Sequence, residues 1–126
     1  MKSATRPTEK EIEILQVIWE KEKASVKDVH EALGGDSTNG YTTILKLMQI
    51  MFEKGLLTRQ KSGKQHLYQA AVSVDKTRFQ MVGKVLHSVF KGSASQLVMN
   101  VLGHSKPSRQ ELDEIKAYLD KLEKGQ

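Results

Sequence analysis

The sequence predicts a mainly α-helical protein with one small β-hairpin. Residues 1–71 read as an N-terminal winged helix-turn-helix, and residues 72–126 as a C-terminal three-helix domain. Three observations lead there. Helical periodicity recurs three times and is followed by two short strand-like runs, the element order of a winged helix. The remainder of the chain shows helical signals only. The charge is also uneven: residues 1–39 carry a net of −2, residues 40–70 a net of +4 and residues 71–126 a net of +3. A basic surplus that begins abruptly at Gly40 is a footprint to test against nucleic acid.

Each element has its own signals. Thr8-Glu9-Lys10-Glu11 is a capping box, with Thr8 as N-cap and Glu11 three residues on. Ile12, Leu15, Ile18 and Trp19 then recur at helical spacing to about Glu22. Trp19 falls beside that stripe and reads as a core or domain-contact residue. Ser25 caps a short second helix with Val26, Val29 and Leu33 on one face, and Gly34-Gly35 stop it. Asp36-Ser37-Thr38-Asn39-Gly40 is dense in turn and cap residues. A third helix spans residues 41 to about 54 and ends at Gly55. Residues 56–61 and 64–69 then read as strands joined by Ser62-Gly63 in a tight hairpin. Ser73 opens a fourth helix with Phe79, Val82, Leu86, Val89 and Phe90 on one side, closed by Gly92. Ser93 caps a fifth, which places Ala94, Leu97, Val98 and Val101 together and closes at Gly103, with a loop from His104 to Pro107. Ser108 and Glu111 form a further capping box, and Leu112, Ile115, Leu119 and Leu122 make a narrow apolar seam behind it. Three short helices with these apolar positions bury little of themselves. A second copy is the economical cover, so Phe79, Val82, Leu86, Leu112, Ile115, Leu119 and Leu122 are the candidate dimerisation residues.

The third helix is the candidate reading head. On a helical wheel Tyr41, Ile44, Leu45, Leu47, Met48, Met51 and Phe52 form a broad apolar arc. Thr42, Thr43, Lys46, Gln49, Ile50 and Glu53 occupy the other side, with no acidic residue before the last turn. A threonine methyl touches a thymine methyl, glutamine bonds adenine, and lysine reaches guanine or phosphate. In helix-turn-helix proteins the N-terminal part of this helix faces the bases, and its free N–H groups favour a phosphate. Arg59, Lys61 and Lys64 surround the hairpin tip, where they would neutralise phosphates and supply affinity without sequence choice. Lysines also protect exposed strand edges, and the two roles are compatible.

Composition removes other function classes. The 126 residues are 38% apolar and 28% charged, ordinary for a globular protein. Without cysteine there is no disulfide, thiolate metal site or cysteine nucleophile. His30, His66, His87 and His104 have no close pairing in sequence, so no metal site is expected. The carboxylates are spaced as solvated helix faces, and neither a phosphate loop nor a serine elbow is present, which excludes an enzyme. No apolar run is long enough to span a bilayer and no signal-peptide core is found, so the expected compartment is the cytoplasm.

Gly40-Tyr41-Thr42-Thr43-Ile44, then Glu53-Lys54-Gly55-Leu56-Leu57-Thr58-Arg59 and residues 63–68, resemble the penicillinase-repressor family of BlaI/MecI/CopY type. The likeness extends to residues 7–19 and 93–102 and so covers nearly the whole chain. The resemblance implies an N-terminal winged helix, a C-terminal helical dimerisation domain, and repression at double-stranded operators of dyad symmetry. It places Thr42, Thr43 and Lys46 at the DNA. Familiar members often carry arginine where this chain has Ile50, which implies a different base preference. Copper-responsive members carry cysteine pairs near the C-terminus, a mode this chain lacks. Antibiotic-responsive members are cut by a regulatory protease between Asn and Phe in the fifth helix, and the matching bond here is Asn100-Val101.

The expectation is therefore a homodimeric bacterial transcriptional repressor that needs no cofactor and no membrane. One alternative is a winged-helix module that docks a protein and never reads DNA; it predicts little salt dependence and no operator preference. Another is a metal- or small-molecule-sensing variant, which would need a buried polar site.

Overall fold

The computed structural model describes residues 6–35 and 40–126. Among them are α1 (Glu9–Lys21), α2 (Val26–Ala32), α3 (Tyr41–Glu53), β1 (Leu57–Ser62), β2 (Gln65–Ala70), α4 (Val74–Ser88), α5 (Ala94–Ser105) and α6 (Arg109–Lys124). Asp36, Ser37, Thr38 and Asn39, expected as a turn, lie outside the described residues. The chain divides into two compact units, Met1–Met81 and Val82–Gln126. No helix among the described residues is long and apolar enough to cross a membrane.

The first unit has a single apolar core. Ile14, Leu15 and Ile18 of α1 meet Val29 of α2, Ile44, Met48 and Met51 of α3, and Leu56, Leu57 and Tyr68 of the hairpin, all essentially inaccessible to solvent. The helices start where the sequence says. Thr8 Oγ1 accepts the Glu11 N–H at 3.2 Å while Glu11 Oε1 accepts the Thr8 N–H at 2.9 Å. Ser25 and Asp28 form a reciprocal pair of the same kind on α2, at 3.1 and 3.0 Å, a box that the Ser25 cap alone did not announce. Ala24 and Tyr68 exchange both backbone bonds, at 3.0 and 2.8 Å. Residue 24 thus covers the free edge of β2. Trp19 Nε1 donates to the Val72 carbonyl at 3.0 Å and ties α1 to the segment leaving the hairpin.

The hairpin departs from expectation by one residue. Ser62 pairs with Gln65, so the two-residue loop is Gly63-Lys64 rather than Ser62-Gly63. Gly63 has φ 65°, and a loop with glycine at its first central position matches the right-handed twist of the strands it joins. Leu57, Arg59 and Lys61 consequently share one face with Ala70, Tyr68 and His66, their cross-strand partners.

In the second unit α5 runs beyond its expected stop. Gly103 lies inside the helix with open space around it, and the two side chains after it reach back to carbonyls one turn earlier. His104 Nδ1 lies 3.0 Å from the Asn100 carbonyl oxygen, and Ser105 Oγ donates to the Val101 carbonyl at 2.7 Å. The real terminator is Lys106, left-handed at φ 50°, ahead of Pro107, whose ring disfavours helical backbone in the residue before it. The fourth helix stops at Ser88, before the expected Val89 and Phe90. The Gly92 N–H then bonds back to the Leu86 carbonyl at 2.9 Å, with Lys91 and Gly92 both left-handed at φ 51° and 84°. Ser108 and Glu111 cap α6 reciprocally. Among residues 82–126 no side chain is fully buried, which sets this unit apart from the first.

Candidate nucleic-acid interface

The site is built on α3. Its Ile44, Met48 and Met51 close the core, and that fixes which side faces outward. Thr42, Thr43, Lys46 and Gln49 are all exposed. Among the described residues none of these four side chains has a hydrogen bond or ion pair. Gly40, the N-cap, brings no side-chain cap to the helix start, so the first-turn N–H groups keep their donor capacity beside Thr42 and Thr43.

The apolar arc expected for this helix is narrower than the wheel suggests. Tyr41 is 48% exposed and Phe52 is 36% exposed. Both stand at the margins of the arc, and each ring meets a polar neighbour. The His30 ring meets Tyr41 edge-on with centroids 5.9 Å apart, and the Arg59 guanidinium lies 4.0 Å from the centre of the Phe52 ring. That stack fixes Arg59 on the helix-facing side of the hairpin.

Arg59, Lys61 and Lys64 are exposed. Arg59 and Lys61 project from the hairpin face that also carries Tyr68, and Lys64 sits in the turn. A cleft of about 150 Å³ joins the two parts, lined by Tyr41, Leu45 and Gln49 of α3 and by Lys64, His66 and Tyr68 of the hairpin. The structure therefore brings Gln49 and Lys64 to one cleft, beside an α3 face bearing Thr42, Thr43 and Lys46. His66 belongs here as well, although sequence reasoning weighed it only as a metal ligand. Strand alternation carried the signal, since His66 pairs with Lys61 across the hairpin.

One member of the basic surplus is spent elsewhere. Lys54 Nζ lies 2.8 and 3.0 Å from the two carboxylate oxygens of Glu11, which is only 3% exposed. The pair pins the end of α3 to the start of α1. Lys46, Lys61 and Lys64 have no such partner among the described residues, so the cations available to an anionic ligand flank α3 and the hairpin tip.

The other candidate residues occupy the second unit and the helix entering it. Phe79, Val82, Leu119 and Leu122 are exposed by 67, 45, 53 and 48%, while Leu86, Leu112 and Ile115 are half-buried. Asn100 and Val101 are exposed in the middle of α5. Among the described residues no three histidine or carboxylate side chains converge as metal ligands would.

Comparison with known proteins gives concordant results. A family model described as Penicillinase repressor matches residues 7–121. The methicillin resistance regulatory protein MecI of Staphylococcus aureus strain N315 is 26% identical over 111 residues, covering 88% of this chain and 90% of that protein. The penicillinase repressor of Bacillus licheniformis is 25% identical over 122 residues, covering 95% and 94% respectively. Among solved structures, the DNA binding domain of the repressor BlaI aligns with a TM-score of 0.52 at 26% identity, over 59% of this chain and 90% of that one. The monomeric form of Bacillus licheniformis BlaI in complex with the blaP half-operator aligns with a TM-score of 0.50 at 25% identity, over 60% and 92%.

Proposed function

The chain belongs to the penicillinase repressor family, and from that membership we propose that it is a transcriptional repressor binding a dyad-symmetric DNA operator as a homodimer. The observation that carries this reading is the outward face of α3. It presents Thr42, Thr43, Lys46 and Gln49 without partners of their own, beside a hairpin bearing Arg59, Lys61 and Lys64. Such a face suits a major groove, and such a hairpin suits the flanking phosphates. The solved relative in complex with a half-operator supports operator DNA as the partner. The relatives are named as a repressor and a resistance regulator, and this chain is a regulator of that kind, not an enzyme.

In this reading residues 1–71 contact DNA and residues 72–126 pair two chains. Large apolar side chains left open on α4, α5 and α6 support the pairing. Two copies related by a twofold axis then set the spacing of two half-sites. A regulatory protease is the release step carried over from the family. A cut between Asn100 and Val101 would sever α6 from the rest of the chain, and the bond becomes accessible only when α5 opens locally. Free operator in an induced-cell extract while the chain stays intact would remove that step from the account.

The test of the proposal is a titration of the full chain on two duplexes, one selected from a random pool and one unselected, each at two salt concentrations. The selected duplex should bind roughly a thousandfold or more tightly, and both affinities should fall steeply with salt. Equal affinity for both duplexes, or indifference to salt, would favour a protein-docking module instead.

A further inference from the structure

Ile50 stands where the core cannot use it. It is 37% exposed and lies seven residues past Thr43 and four past Lys46, so the three share one stripe of the outward face. The core-facing side of α3 is closed by Ile44, Met48 and Met51, and Leu45 and Leu47 pack partly against it. Tyr41 and Phe52, the other exposed apolar residues of α3, meet the His30 ring and the Arg59 guanidinium. Ile50 is the aliphatic member of this exposed set and lies outside the core cluster, on the polar side of the helix.

Its neighbours indicate what it meets. Lys46 and Thr43 beside it, and the lysines of the hairpin, suit a polyanion and not an apolar protein surface. In a major groove the only apolar feature on a base edge is the 5-methyl group of thymine. Isoleucine has no donor or acceptor and so discriminates there through contact with that methyl alone. We propose that Ile50 is a specificity-determining residue that selects thymine in the operator through its methyl group, with Thr43 on the same stripe. This inference rests on the reading that α3 faces DNA.

Deoxyuridine provides the test, because it keeps every hydrogen-bonding edge of thymine and lacks only the methyl. Duplexes are selected from a random pool with the full chain, and each enriched thymine is then replaced in turn. One replacement should weaken binding roughly fourfold per half-site, the worth of one buried methyl group. Ile50→Ala should weaken the unmodified duplex by a similar factor and should not respond to that replacement. Alanine is the stronger helix former, so circular dichroism and urea unfolding should show a variant that remains folded. If no thymine responds, or if Ile50→Ala stays as sensitive as the unmodified protein, the assignment is overturned while DNA binding stands. A pool that yields no enriched sequence overturns the DNA-reading proposal and this inference with it.

Discussion

Thr43 and Lys64 represent the two kinds of contact in the proposed interface, and substitution should separate them. Thr43→Ala removes a methyl and a hydroxyl from the outward face of α3. It should cost roughly 1–3 kcal/mol on a selected duplex and little on random DNA. Lys64→Ala should weaken both duplexes alike and reduce the salt slope by about one per half-site, since it removes a phosphate neutraliser. Titrations of both variants on both duplexes at two salt concentrations check the pair. Lys54 provides the contrast. Its ammonium is committed to Glu11 at 2.8 Å, so Lys54→Met leaves a buried carboxylate without its cation. About 3 kcal/mol of stability should be lost in urea unfolding, the low end for a buried pair because Lys54 is partly exposed, with the operator affinity of the folded protein unchanged. The sequence counted Lys54 in the basic surplus because a partner 43 positions away leaves no local signal.

At the scale of elements, local chemistry decides where helices begin more clearly than where they end. The boxes at Thr8 and Ser108 were legible because cap and partner are three residues apart. The stop of α5 was not. Gly103 has the form of a terminator, yet nothing forces its backbone out of the helix, and Pro107 ends the element later. The hairpin register slipped by one because Ser62-Gly63 and Gly63-Lys64 both satisfy a two-residue turn; the pairing of Ser62 with Gln65 selects the second. Tyr41 and Phe52 were misplaced because the wheel ranks positions by angle and cannot see His30 or Arg59. The α2 cap carries a pH signature. The Ser25 backbone N–H, bonded to Asp28, holds its carboxyl below the usual value of 3.8. A depressed carboxylate stabilises the folded state above its unfolded pKa, and that contribution is lost as pH falls through the lower folded value. Asp28→Asn should therefore flatten the stability profile below about pH 4, as thermal unfolding across pH 2–6 would show. An unchanged acid limb would mean that the box carries no such charge dependence.

At the scale of the whole molecule, the two units divide the work differently. The first closes its own core, whereas the second keeps Val82, Val85, Val98 and Leu119 in solvent. Leu119→Asp should yield monomers in sedimentation and weaken operator binding at least tenfold, while the winged-helix unit keeps its unfolding transition. An unmodified protein that is monomeric at micromolar concentration would rule out the dimer. The central claim is that α3 and the hairpin form the DNA-facing surface. Its most direct test is an ¹H–¹⁵N NMR titration of the full chain with a selected duplex. The account predicts the largest shifts at Thr42, Thr43, Lys46, Gln49 and Ile50 and around Gly63 and Lys64, with little change at Trp19. Shifts centred on α1 and Trp19, or none at saturating duplex, would contradict it.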